Sequence, residues 1–305
     1  MMHWLTMVLL PCGLNVCIAL LLSPLYEGIL RKVRAAIHSR IGPPVTQPYW
    51  DLLKLLGKEE LRSAGGPAYA GLPALALGSV LLLATIVPMG GAAPLAFAGD
   101  MIVVLYMAAM AAVVIMLCGF ASGSPYAYVG SSREMMMALS VEPILAIALA
   151  VGAFKARSLA LFSMAAFQLE SGPSISIAIA GLAFFLALQA QAGKLPFDVA
   201  EADQEIMGGP LVEQSGPRLA LLRWSVWARQ VVLAFLLVEV FFPWPRFGVF
   251  PVDLLTSAVK VLVVLLAVAL ADVVNPRLRV DQAMGYFMRV GISSLSALAF
   301  AVIGK

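Results

Sequence analysis

Between Lys194 and Gly216 the chain reads KLPFDVAEADQEIMGGPLVEQSG. Asp198, Glu201, Asp203, Glu205 and Glu213 place five carboxylates in 16 residues, nearly a third of the 17 acids in the protein. Crowded carboxylates repel, which raises some of their pKa values and lets them exchange protons near neutrality. On a helix, Asp198, Glu201 and Glu205 would share one face. A solvated acidic loop is the plain alternative, but the flanking Leu195, Phe197, Ile206, Met207 and Leu211 argue that the segment packs against something. Lys260 sits in the middle of DLLTSAVKVLVVLLAVALAD. A charge deep in hydrocarbon costs about 2.5–3.5 kcal/mol and must find a partner, so a carboxylate is expected beside it, with Glu142 and Glu239 the candidates. Glu142 precedes Pro143 inside another apolar run, whereas Glu239 is close enough to a run's end to reach the interface. His3 and His38 are far apart, and Cys12, Cys17 and Cys118 lack ligand spacing. With no Ser/His/Asp set, phosphate loop or GxGxxG, the chain is expected to hold no catalytic centre, metal or cofactor of its own.

The elements that carry these residues follow from composition. Of 305 residues 62% are apolar and only 12% charged, against roughly 45–50% and about 25% in soluble domains. A soluble enzyme is excluded, and a net charge of +3 is too small for a nucleic-acid partner. Cutting the charge-poor stretches at Pro/Gly clusters predicts eight helices near 4–25, 68–88, 101–121, 135–154, 174–192, 225–243, 252–273 and 284–303. Their lengths suit membrane spans of about 20 residues. The expected fold is all-α, a single polytopic membrane domain over 1–305 with about eight transmembrane helices. The N-terminus lacks a basic n-region, so 4–25 reads as a retained span. Fourteen Lys/Arg fall in one set of loops and four in the other, which puts both termini outside. The long loops 27–66, 122–134, 193–224 and 274–283 are then cytoplasmic. Such elaborate loops on one face suggest a docking surface, because plain connections need only a few residues.

The sequence resembles the subunit 1 family of respiratory complex I membrane arms, with its relatives in energy-converting hydrogenases. Four segments carry the resemblance, in order. They are Tyr26-Glu27 with Arg31, Arg34, Arg40-Ile41-Gly42-Pro43, Gln47-Pro48, Asp51, Lys54-Leu55 and Lys58-Glu59; Gly130, Arg133, Ser140 and Glu142; Pro196-Phe197-Asp198, Glu201-Ala202, Glu205, Gly209, Glu213 and Ser215-Gly216; and Pro276-Arg277, Arg279 and Asp281-Gln282. Departures at Gly193-Lys194-Leu195, Pro210, Gln214 and Tyr286-Phe287 look more like the hydrogenase-type (formate hydrogenlyase, Ech or CO-induced) branch than the NADH–quinone branch.

The resemblance implies a non-catalytic membrane anchor in a prokaryotic cytoplasmic (inner) membrane, coupling a redox arm to H⁺ or Na⁺ translocation. It implies hydrophilic iron–sulfur and large hydrogenase-like partner subunits carrying 4Fe-4S clusters and a NiFe centre, and antiporter-like membrane partners. In the NADH–quinone alternative the complex would use FMN and quinone. Glu142, Asp198, Glu201, Asp203, Glu205, Glu213 and Lys260 would be ion-coupling residues. Glu27, Arg31, Arg34, Arg40, Asp51, Lys54, Arg133, Arg277, Arg279 and Asp281 would dock partners or pair charges, with Arg133 the expected counter-charge of Glu201 and Glu213. A stand-alone channel or secondary transporter is the reading from another class. It predicts paired broken helices at the midplane, and none is visible.

Overall fold

In hydrocarbon an apolar segment must satisfy its own backbone groups, and a helix does so within one segment. The computed structural model describes residues 2–61, 67–91, 95 and 100–304, with backbone alone for 2–9, 67, 68, 203 and 204. Arg62, Lys305 and most of the 89–99 connection lie outside the described residues, as do the side chains of His3 and Asp203. The helices are α1 (Met2–Ile37), α2 (Gln47–Leu56), α3 (Pro67–Ile86), α4 (Met101–Ala121), α5 (Pro125–Ala156), α6 (Leu161–Ser171), α7 (Ile175–Gln191), α8 (Asp203–Ile206), α9 (Gly216–Phe241), α10 (Phe250–Val274) and α11 (Val280–Ile303). Seven of them are long and apolar enough to cross a membrane. The 17-residue α7 adds an eighth apolar helix of about 26 Å at 1.5 Å per residue. The protein is therefore a polytopic helical membrane protein.

Turn chemistry sets the boundaries. Prolines occupy the first turns of α5, α9 and α10, where a missing N–H costs nothing. Three helices run well beyond what hydropathy predicts. α1 continues through Glu27, Arg31 and Arg34 to Ile37, α5 begins at Pro125 rather than near 135, and α9 begins at Gly216 rather than near 225. The extensions are charged or small-residue turns that helical backbone accepts and a hydropathy window rejects.

The centre of the bundle is α9. Its most apolar window is 89% buried, against 28% for α10 and α11, so the other helices wrap it. α9 packs against α1, α3, α7 and α10, while α5 packs against α4, α7 and α11. Phe184, Phe235, Phe241, Phe287, Leu149 and Leu188 fill the space between them. Leu82, Tyr106, Leu182, Val263 and Ile292 face outward and exposed, as lipid-facing side chains do.

The loop between α7 and α9 lies against α5 at a point where two backbones meet. Gly209 has φ +54°, and a Cβ there would stand 2.0 Å from the Ala200 carbonyl oxygen. A Cβ on the facing Gly130 would stand 2.5 Å from the Gly209 Cα. Gly209→Ala is therefore expected to cost at least about 2 kcal/mol through left-handed strain and overpacking. Gly285→Ala, in α11 with nothing within 4 Å of the new methyl, should be neutral or stabilising. Thermal unfolding of the two purified variants checks the difference, and equal midpoints would remove the close approach as a constraint.

Candidate functional site

The acidic loop is an irregular strap, not a helix. Its regular structure is confined to the four residues of α8 and a 3-10 turn at Gly209–Leu211. Asp198, Glu201 and Glu205 consequently do not share a helical face, and the loop's path turns them different ways. Phe197 anchors it, buried against Phe287 and Tyr286 with ring centroids 4.7 and 5.3 Å away. The Leu195 N–H donates to Asp272 Oδ1 at 2.9 Å, and the Leu278 N–H donates to the Pro196 carbonyl at 3.0 Å. Asp272 Oδ2 lies 2.8 Å from Arg34 Nε. The strap is thus tied to α1, α10 and the turn before α11.

Charge pairs join it to the first polar segment. Lys194 Nζ lies 3.1 Å from Glu27 Oε2, and Arg31 bridges Glu27 Oε1 at 3.2 Å to Asp51 Oδ2 at 3.0 Å. Arg31 also lies over the Trp227 ring at 5.5 Å. Further along, Arg218 pairs with Glu60, and Ser215 Oγ both accepts from the Leu61 N–H at 2.9 Å and donates to its carbonyl at 3.1 Å. Arg40 and Lys54 are exposed.

Beneath this network a cavity of about 440 Å³ opens between the strap, α1 and α9, lined by Glu27, Arg31, Lys194, Glu201 and Arg223 among others. Glu201 also lines a cavity of about 30 Å³, which it shares with Asp198, Glu134 and Arg229. That volume has room for one or two waters. Glu134 in turn lines a third, of about 10 Å³, with Val141 and Gln191. Three spaces therefore run in series from the loop face into the bundle, joined by carboxylates.

Arg229, only 4% exposed, is the cation of the second space. Its Nη2 donates to the Gln191 carbonyl at 2.9 Å and stands 4.0 Å from Glu134 Oε1. Its Nε and Nη1 have no acceptor among the described residues. Glu142 lies eight residues beyond Glu134 on α5, about 12 Å along the axis, within the electrostatic reach of Arg229 and Glu134. Burial first, then the neighbouring Asp198 carboxylate and Glu134, push Glu201 up to about 7 against the opposing pull of Lys194 and Arg223.

Several expectations need correction. Arg133, expected to balance Glu201 or Glu213, instead holds Glu205 at 2.6 Å. With Arg277 and Arg279 it keeps that exposed carboxyl below its ordinary value. Arg133, Glu205, Arg277, Arg279 and Asp281 line a separate cavity of about 280 Å³. Glu213 is half-buried and lines neither cavity that holds Glu201. Arg229, one of the fourteen basic residues counted to the loops although 225–243 is expected to be helical, lies within α9 and is buried. Glu134 stands out from the sequence no more than its neighbour Arg133 does. For both residues the available signal is a charge interrupting a helical apolar pattern.

At the opposite end, Lys260 has no carboxylate partner among the described residues. Its ammonium donates to the carbonyls of Phe242, Pro243 and Pro245 at 3.2, 3.0 and 3.4 Å. α9 ends at Phe241 and Pro243 and Pro245 prevent its continuation, so the carbonyls of Phe242, Pro243 and Pro245 lie beyond the helical ladder at the negative end of its dipole. A lysine from α10 meets them there. Glu239 is buried, not at the interface, and accepts from Ser257 Oγ at 2.6 Å and the Gly90 N–H at 3.0 Å.

Apolar spans around a central helix, with serial polar cavities at one end, define a multi-pass membrane protein built to hold charges inside a bundle. The chain belongs to the NADH dehydrogenase family, whose pattern matches residues 11–303. It is 36% identical to formate hydrogenlyase subunit 4 of Escherichia coli (strain K12) over 268 residues, covering 85% of this chain and 87% of that protein. With hydrogenase-4 component C of the same organism it shares 38% identity over 264 residues and 84% of each chain. NADH-ubiquinone oxidoreductase chain 1 of Paracentrotus lividus is 28% identical over 264 residues, with 83% and 81% covered. A solved chain from the membrane-bound sulfane sulfur reductase, an archaeal respiratory membrane complex, superposes with a TM-score of 0.88 at 29% identity, covering 96% of this chain and 99% of that one. Family membership places the protein among the membrane subunits of oxidoreductase complexes.

Two outcomes follow from this geometry. A carboxyl buried beside Asp198 should be protonated at about pH 6 and ionised at about pH 8, visible as loss of a protonated-carboxyl band in infrared difference spectra. Because burial favours the neutral form, its contribution to stability is complete below the ordinary value of 4.5 and is lost as pH rises through about 7. Glu201→Gln should lack both the band and that slope, and persistence of the band in the variant would assign it elsewhere. Separately, Lys260→Met should lower the amount of membrane-inserted protein several-fold by uncapping α9. Normal abundance with reduced ion translocation would instead make Lys260 a relay.

Proposed function

We propose that this chain is the membrane-anchor and coupling subunit of an ion-translocating redox complex of the hydrogenase type. The observation that carries the proposal is the serial arrangement of Glu201, Glu134 with Arg229, and Glu142 behind the acidic strap. In such a series each protonation changes the affinity of the next group. A redox partner that displaces or repolarises the strap at Asp198 and Glu201 alters the first member, and the charge change passes inward. The chain itself does no electron transfer. The 4Fe-4S clusters and NiFe centre belong to hydrophilic partner subunits docked over α2 and the strap, and antiporter-like subunits adjoin the bundle. The strap face is cytoplasmic, both termini are outside, and the membrane is a prokaryotic inner membrane.

The lining of the wide cavity favours the hydrogenase branch over a quinone-reducing one. Glu27, Arg31, Lys194, Glu201 and Arg223 make it a charged chamber, poorly suited to an isoprenoid head and tail. Similarity along most of the chain to subunits of multi-component complexes favours this reading over a stand-alone channel or transporter.

In the assembled complex, Glu201→Gln should leave assembly intact and reduce ion uptake by about tenfold or more relative to electron transfer, since shape is kept and the titrating proton is lost. Arg229→Gln should reduce assembly as well, because it strands Glu134. Measuring hydrogen-linked turnover and ion uptake together in membrane vesicles tests the proposal. Full coupling in Glu201→Gln would reduce the strap to a docking surface.

A further inference from the structure

At the end of the bundle away from the strap, α5, α6, α11 and the turn that leads into α7 border an open cavity of about 760 Å³. Its size falls in the range of ligand pockets, and its walls are of two kinds. Lys155 and Arg157 supply positive charge, Ser171 and Ser174 supply hydroxyls, and Phe154 and Val302 supply apolar surface. The basic groups are held by the fold. Lys155 Nζ donates to Ser174 Oγ at 2.7 Å, which draws the ammonium toward the start of α7. Arg157 ends α5 in a left-handed conformation, φ 52° and ψ 32°, where the chain turns away. Ser174 precedes α7 without capping it through its side chain, so the first N–H groups of that helix add positive potential on the same side. The only carboxylate between Lys155 and Pro173 is Glu170, which is exposed and does not line the cavity.

The apolar walls continue outward. Phe154 is 51% exposed and Val302 63%, and both lie at the ends of spanning helices. A charged ligand with no hydrocarbon would leave this surface unused, whereas an amphipathic anion matches both parts.

We propose that this cavity binds the phosphate headgroup of an anionic phospholipid. Lys155 and Arg157 meet the phosphate, and the acyl chains lie against Phe154 and Val302. The proposal is independent of the redox assignment, since it concerns the other end of α5, about 32 Å from Glu134 at 1.5 Å per residue.

The test uses the purified complex, delipidated and transferred to nanodiscs of phosphatidylcholine with or without phosphatidylglycerol. Native mass spectrometry then counts retained lipid. The wild type should retain phosphatidylglycerol in preference to phosphatidylcholine, and millimolar inorganic phosphate should not displace it. Lys155→Gln with Arg157→Asn should bind about 25-fold more weakly, or about fivefold per charge removed. Lys155→Arg should behave as the wild type. Should the double variant fail to assemble, Arg157→Asn alone gives the same comparison, because Asn accepts left-handed backbone. Equal retention of both lipids, undiminished retention in the charge-removing variants, or displacement by inorganic phosphate would each overturn the assignment.

Discussion

A guanidinium placed among helices of an apolar bundle cannot be left to itself, and Arg229 sets the terms for everything around it. Its burial, with only 4% exposed, demands negative partners from neighbouring elements, since truncating either side of a buried pair leaves an uncompensated charge. α5 supplies Glu134, α7 ends so that the Gln191 carbonyl points at Nη2, and the strap brings Glu201 to the same cavity. Extending α5 back to Pro125 is what carries Glu134 to this depth. The close approach of Gly209 to Gly130 holds the strap at the right height over it.

The two ends of the bundle solve the same dielectric problem differently. At the strap end, positive and negative side chains are interleaved: Arg31 between Glu27 and Asp51, Arg34 with Asp272, Arg133 with Glu205. At the other end, Lys260 is solvated by backbone carbonyls and Glu239 by a hydroxyl and an amide. Side-chain pairs change partners readily when a charge moves, whereas backbone solvation is fixed by the fold. That contrast favours placing the titrating machinery at the strap end.

Hydropathy and Pro/Gly punctuation make the helices legible because hydrocarbon imposes a length and excludes charge; α4 matches its expected 101–121 bounds. Helix ends that leave the apolar run are not legible, since charged turns such as Glu27–Arg34 read as loop. The acidic segment is visible as composition. Its shape is not, because an i, i+3, i+7 spacing implies a shared face only on a continuous helix, and the segment forms an α-helical turn only at Asp203–Ile206. Lys260 is legible as a charge needing company, but the company comes from a helix terminus, which has no signature in residue types. Glu134 and Arg229 are hidden for the opposite reason: each sits near other charges in sequence, and only the packing of α5, α7 and α9 together makes them interior.

The central helix has one more consequence. α9 carries Arg229 in the strap-end series and Glu239 in the amide-and-hydroxyl cradle, ten residues apart. Each is held by groups from other elements, so α9 is indexed at two points. One residue inserted between them turns the far half by about 100° and lengthens it by about 1.5 Å, taking Glu239 out of reach of Ser257 and the Gly90 amide, or Arg229 out of reach of Gln191. The interval from 229 to 239 is thus a ruler with a stop at each end, and its residue count is as much a part of the architecture as any side chain on it.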